Sequence, residues 1–204
     1  LGGASLALLR SSGGSVPAAR AAVEPVRVVL SGPAGGVVAA ERAARELGLA
    51  RVLTLDLGGT STDVAFARAE DRAEDARAVE PPRVAGHALG VPALDVHTIG
   101  CGGGSIARVD AAGVLTVGPE SAGADPGPAC HGRGDEPTLT DAHVVLGHVA
   151  TGAFLGGAFE LDRGAAVRAY ERLAARLGAR PDDAARAVIA SARTALRRAA
   201  LTMS

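Results

Sequence analysis

The stretch from Arg51 to Arg68 restricts the fold more than any other part of this 204-residue chain. Arg51–Leu57 (RVLTLDL) and Ser61–Arg68 (STDVAFAR) both read as strands, and Gly58-Gly59 reads as the tight turn between them. A strand that ends on a carboxylate, Asp56, and runs into two glycines and then Thr60-Ser61-Thr62-Asp63 is built to do more than reverse direction. With no side chains in the way, the backbone N–H groups of such a turn form a concavity that phosphate oxygens can approach closely. Asp56 at the strand end is placed to hold Mg²⁺, directly or through water, or to orient an attacking water. The competing reading is a plain β-hairpin whose glycines only make the turn. The hydroxyl-rich continuation favours phosphate.

Composition narrows what surrounds this turn. Apolar residues make up 48% of the chain but aromatic residues only 2%, so Ala, Val and Leu must fill the core. All 21 basic residues are arginine. Without lysine there is no Walker-type P-loop and no Schiff-base chemistry, so phosphate must be held by backbone amides, arginine or a metal. A net charge of −1 argues against a nucleic-acid or anionic-membrane surface. No apolar run approaches the roughly 18 residues that cross a bilayer, and the first residues lack the basic region of a signal peptide. Cys101 and Cys130 make neither a disulfide framework nor a CxxC pair, which fits a reducing cytoplasm. A chain that opens without Met and stops at LTMS reads as an internal piece of something longer.

Along the chain, residues 1–24 are rich in Ser, Gly and Ala and are expected to be poorly ordered or an edge segment. Val26–Leu30 (VRVVL) is predicted to be a buried strand, Ser31–Gly36 (SGPAGG) a small-residue turn, and Val37–Leu47 a helix stopped by Gly48. Residues 69–80 read as a solvated loop or hairpin tip, and Val91–Gly100 as extended. Ile106–Asp110 and Val114–Gly118 flank Ala111-Ala112-Gly113 as a hairpin. The Gly- and Pro-rich span from Pro119 to Pro137 is long enough to favour a binding role. Thr140-Asp141 is expected to cap a helix to about His148. Two amphipathic helices then follow, the first capped by Asp162 and ended by Gly178, the second begun at Pro181 with Asp182 and Asp183. Their stripes, from Ala166 to Leu177 and from Ala185 to Leu196, are packing faces without chemistry.

Five blocks, in order and in register, carry a family resemblance: Ser31–Gly36 (SGPAGG), Asp56–Val64 (DLGGTSTDV), Thr98–Ala107 (TIGCGGGSIA), Val117–Gly134 (VGPESAGADPGPACHGRG) and Thr138–Leu146 (TLTDAHVVL). They closely resemble hydantoinase/oxoprolinase proteins, a family that includes ATP-dependent hydantoinases, 5-oxoprolinase and acetone carboxylase subunits. The resemblance implies an α/β fold of the actin/Hsp70/sugar-kinase (ribonuclease H-like) type, a mixed sheet with flanking helices. Residues 25–204 would be part of its second half, ending in packing helices over 162–200. It further implies ATP and Mg²⁺ as cofactors. Asp56 would act with the metal, with Asp63 supporting the site from the next strand. Gly58, Gly59, Thr60 and Ser61, with Gly102, Gly103, Gly104 and Ser105, would line the nucleotide site. The family reaction is ATP-driven opening of a small cyclic amide or imide, with a second, hydantoinase B-like subunit or domain as partner. The family's first phosphate turn and its adenosine loop have no counterpart in this sequence, so the chain alone is expected to be inactive. An acetone-carboxylase-like carboxylase, a sugar-kinase-like phosphotransferase and a non-catalytic nucleotide-binding remnant stand as alternatives.

Cys101 stands where relatives are expected to carry Ala and reads as a packing variant; His131 and Asp135 replace an expected Tyr and Gly. Cys130 and His131, with Asp125, Asp135 or His97, match no standard zinc spacing. His143 and His148, five apart, would not share a helix face and read as surface or capping residues. Arg108 and Arg133 could bind phosphate or carboxylate, or simply be solvated.

Overall fold

The computed structural model describes residues 5–68, 83–84, 87–152 and 157–203. The loop expected over 69–80 lies outside them. The described residues fall into two compact units. The first comprises Leu1–Asp56, Asp63–His97 and Thr202–Ser204; the second comprises Leu57–Thr62 and Thr98–Leu201.

In the first unit, strands β1 (Ala7–Leu9) and β2 (Ser15–Pro17) pair antiparallel and lead into helix α1 (Ala18–Val23). Residues 5–23 therefore hold a hairpin and a helix of their own. The buried strand expected at Val26–Leu30 is not formed: Pro25–Val28 is a 3₁₀ turn with no buried residue. Pro25 fixes φ at the start of that turn, and Arg27 pairs with Glu24 three residues back. The turn expected at Ser31–Gly36 is likewise corrected, because α2 runs from Ser31 to Glu46. Pro33 sits in the first helical turn, where its missing N–H costs nothing. Gly35 is tolerated because a Cβ there would meet Leu9 Cδ1 at 3.0 Å. Gly48 ends the helix region at φ +68°, as expected.

β3 (Arg51–Leu57) and β4 (Thr62–Arg68) form where the sequence placed them, and a three-stranded sheet has the order β3-β4-β7. β5 (Arg83–Val84) and β6 (His87–Ala88) are a two-residue antiparallel pair, and β7 is His97–Ile99. The extended stretch expected over Val91–Gly100 is a strand only in those last three residues. Ala34 and Val37 of α2, Ala65 and Ala67 of β4, and Leu94 form the core of this unit.

In the second unit, β8 (Ser105–Val109) and β9 (Leu115–Ser121) make the expected hairpin, with Gly113 at φ +81° in its turn. Helix α3 (Leu139–Val145) is capped two residues earlier than expected. Thr138 Oγ1 accepts from the Asp141 amide, and the Asp141 carboxylate accepts from the Thr138 amide, a reciprocal capping box. α4 (Arg163–Leu177) begins at Asp162, whose carboxylate accepts from the Ala165 amide at 2.9 Å, and stops at Gly178 with φ +62°. α5 runs from Pro181 to Met203. The expected stripes are buried at Ala166, Tyr170, Leu173 and Ala174, and at Ala185, Val188 and Ala192. Small residues dominate this core, so Tyr170, fully buried, is its largest member, and its hydroxyl donates to the Thr138 carbonyl at 2.9 Å.

Candidate phosphate site

In the second unit the turn after β3 is stacked on the glycine run before β8. The Gly58 amide donates to the Ser61 carbonyl at 2.9 Å, which closes the turn. The Gly103 amide then donates to the Gly58 carbonyl at 2.9 Å, and the Gly104 amide to the Gly59 carbonyl. The two backbones approach so closely that only glycine fits on the second. A Cβ at Gly102 would meet Gly58 O at 2.7 Å and Ser61 N at 2.8 Å, and one at Gly104 would meet Gly59 O at 2.9 Å. Thr62 Oγ1 donates to the Cys101 carbonyl, and the Gly102 amide donates to Ser105 Oγ at 2.8 Å. Both hydroxyls are buried.

The outer side of the turn is open. Gly59 and Thr60 are exposed, a Cβ at Gly59 would meet nothing within 4 Å, and among the described residues neither amide has an acceptor. Exposed amides on a glycine turn braced from behind are what an anionic oxygen requires. The residues thus fit a phosphate group by shape and donor chemistry.

Two residues that the sequence did not assign to the site complete this arrangement. Thr140 donates to the Gly103 carbonyl through its amide at 2.8 Å and its hydroxyl at 2.9 Å. Ser121 Oγ lies 3.4 Å from Thr60 Oγ1 and accepts from the Gly123 amide at 3.1 Å. Thr140 was legible only as a helix cap, and Ser121 only as one hydroxyl inside a long loop. A cavity of about 360 Å³ is lined by Gly59, Gly103, Gly104, Thr140, His131 and His143 among others.

Asp141 fixes the loop behind this cavity. Besides the capping box, its carboxylate accepts from the Ala129 amide at 3.1 Å, the Cys130 amide at 2.7 Å and Thr138 Oγ1 at 2.7 Å. Cys130 is fully buried, and burial together with the nearby Asp141 carboxylate pushes its thiol far above the usual range. Burial also raises Cys101. Both shifts disfavour the thiolate, and no group of three metal-binding side chains occurs among the described residues. Arg108 faces Glu120 and Glu136, and Arg133 faces Asp125, so both arginines meet the protein's own carboxylates.

In the first unit, Asp56 and Asp63 line a single cavity of about 230 Å³, with Pro33, Gly36 and Val37 of α2 and Thr54 of β3. Asp56 is exposed, and Asp63 is half-buried and engaged in a further interaction. The SGPAGG block and the two candidate acids, distant in sequence, thus meet at one place.

His143 and His148 depart from the expectation of separate surface roles. Their rings are 5.3 Å apart between centroids, with Nδ1 atoms 3.1 Å apart.

The model of the hydantoinase/oxoprolinase family matches residues 2–204, and the chain belongs to that family. It is 41% identical over 182 residues to caprolactamase subunit alpha of Pseudomonas jessenii, covering 88% of this chain and 26% of the relative. It is 38% identical over 183 residues to 5-oxoprolinase 1 of Arabidopsis thaliana, covering 87% of this chain and 14% of the relative. Among solved structures, nucleotide-free acetone carboxylase superposes with a TM-score of 0.85 at 33% identity, covering 98% of this chain and 28% of that one. The chain therefore has an α/β fold of the actin-like ATPase type, and it spans about a quarter or less of the length of these relatives.

Proposed function

We propose that this chain supplies a phosphate-cradling turn to a longer ATP-dependent enzyme that opens a cyclic amide or imide. The observation that carries the reading is the braced glycine turn: two glycine-rich segments stacked by Gly103-to-Gly58 and Gly104-to-Gly59 hydrogen bonds, with exposed amides at Gly59 and Thr60. Gly59, Thr60 and Ser61 hold phosphate oxygens through backbone and hydroxyl donors, and Gly58, whose amide is committed to the Ser61 carbonyl, closes the turn that presents them. Gly102, Gly103, Gly104 and Ser105 keep the turn in shape. Asp56 is the residue to hold Mg²⁺, whose charge would offset that of the phosphates. Asp63, on the same cavity, supports that carboxylate's surroundings.

An unstrained lactam is a poor electrophile; phosphorylation of its amide oxygen by ATP would activate the carbon for attack by water. The ring C–N bond would then break to free the amine and leave an acyl phosphate, and a second water would release carboxylate and phosphate. Fixed amides aimed at developing negative charge stabilise it without reorganising, which is the main service a backbone cradle performs. The names caprolactamase and 5-oxoprolinase among the relatives support a ring-opening reaction. That one relative is named as a subunit supports a second, hydantoinase B-like partner. The reading places the enzyme in the cytoplasm. No described helix is long and apolar enough to cross a membrane.

A carboxylase reading is favoured by one observation, the superposition on acetone carboxylase. Phosphate release from ATP by the full-length protein with its partner separates the two. Release stimulated by a lactam, hydantoin or 5-oxoproline supports ring opening. Stimulation only by acetone with bicarbonate transfers the chain to the carboxylases, and stimulation by neither contradicts both.

A further inference from the structure

His143 lines the same cavity as the phosphate turn. It stands half-buried in the last turn of α3, three residues after Thr140, whose amide and hydroxyl donate to the Gly103 carbonyl. Residues so spaced share a helix face, about 5–6 Å apart at Cβ. Both line the cavity of about 360 Å³ that reaches Gly59 and Gly104, and its described lining residues all belong to the second unit. Leu57, Pro128, Leu139 and Val149 make much of the remaining wall apolar. Among the described lining residues, only His131 and His143 carry rings that exchange protons near neutral pH. His131 packs edge-on against Phe159, with ring centroids 5.4 Å apart. His143 has a second histidine behind it.

The helix ends at Val145, and Gly147 at φ +72° turns the chain back, so that the His148 amide donates to the His143 carbonyl at 2.8 Å. The two rings then meet end to end, Nδ1 to Nδ1 at 3.1 Å, in a hydrogen bond. Nε2 of His143, at the other end of the ring, has no hydrogen-bond partner among the described residues. His148 is exposed to water. A chain of hydrogen bonds therefore runs from solvent through His148 to a ring on the cavity wall. We infer that His143 Nε2 gives the departing ring nitrogen its proton and that His148 replaces it, an inference that rests on the ring-opening reading. When the C–N bond breaks, its electron pair goes to nitrogen, which takes the Nε2 proton of His143. His148 Nδ1 hands its own proton to His143 Nδ1 and takes one from water at Nε2. The hydroxyl that the first water left on the carbon gives a proton to solvent as it becomes the acyl phosphate carbonyl. Both rings begin and end neutral, which suits a site where burial and the neighbouring His148 disfavour charge on His143.

The test follows phosphate and ring-opened product together in the full-length protein with its partner and Mg-ATP, using 2-piperidone, hydantoin and 5-oxoproline as probes. Without a proton for its nitrogen, the addition intermediate expels phosphate instead and returns the intact ring. His143→Gln is therefore expected to slow ring opening about 100-fold or more and to lower the product formed per phosphate released. His148→Gln, at an exposed position where folding is not at stake, should lower the same ratio by a smaller factor. A purely structural role would reduce both in proportion, and a ratio equal to the parent's in either variant would overturn the inference. A parent that releases no phosphate in response to any probe would instead contradict the ring-opening reading itself, and the inference with it.

Discussion

Gly102 shows how a single hydrogen in place of a methyl group can hold a site together. A Cβ there would sit 2.7–2.8 Å from Gly58 O, Ser61 N and Thr60 C, all backbone atoms that cannot swing aside. Gly102→Ala should therefore push the turn outward and cost about 1–3 kcal/mol, read as a lower melting temperature together with weakened nucleotide binding by the full-length protein. Unchanged melting would mean that the turn is not braced as described. His143 carries a prediction of opposite character. Its folded-state pKa is lowered, first by burial and then by His148. Below the unfolded value of about 6.5 the unfolded chain takes up the proton more readily than the folded one, so stability falls as pH drops through that range and is regained above it. His143→Asn should flatten the dependence of denaturation midpoint on pH between about 5 and 7; a slope identical to the parent's would contradict the assignment.

At the scale of elements, α3 and the loop before it depend on one carboxylate. Asp141 is fully buried and accepts from Thr138 N, Thr138 Oγ1, Ala129 N and Cys130 N. Asp141→Ala strands those donors, each at about 1–3 kcal/mol if left unsatisfied, and should lower the denaturation midpoint more than Asp162→Ala, which removes one exposed cap. The reverse order would show that the Asp141 network is not what holds the loop. The contrast also shows what was readable in the sequence. β3, β4, the Gly113 hairpin, α4 and α5 were legible because period, turn glycines and caps all agreed locally. Val26–Leu30 was not, since a β-branched run signals a strand only if a neighbour pairs with it, and here Pro25 and the Glu24–Arg27 pair set a 3₁₀ turn instead. Ser31–Gly36 misled for the converse reason. Its glycines look like a turn, yet Gly35 serves close packing against Leu9 inside a helix. Of the site, the glycines and acids were readable as a pattern. The stacking of Gly102–Gly104 on Gly58-Gly59, the convergence of Asp56 and Asp63 with α2, and the meeting of His143 with His148 arise from folding and have no local signature.

At the scale of the molecule, Leu53, Leu55 and Leu57 alternate along β3 and are 39%, 53% and 49% exposed. Three large apolar side chains on one face of a strand are a surface that expects a cover, and these family relatives are about three to six times the length of this chain. The 204-residue chain expressed alone is predicted to aggregate, measured by light scattering on heating. Replacement of Leu53 and Leu55 by Thr should reduce that aggregation, and a sharp reversible transition without scattering in the parent would contradict the prediction. The central claim, that the turn after β3 serves ATP chemistry through Asp56, is tested most directly by phosphate release from Mg-ATP in the full-length protein with its partner, comparing the parent with Asp56→Ala. The account predicts that turnover is lost while the melting temperature stays within a degree or two, because Asp56 is exposed and contributes little to the core. Turnover equal to the parent's would contradict it.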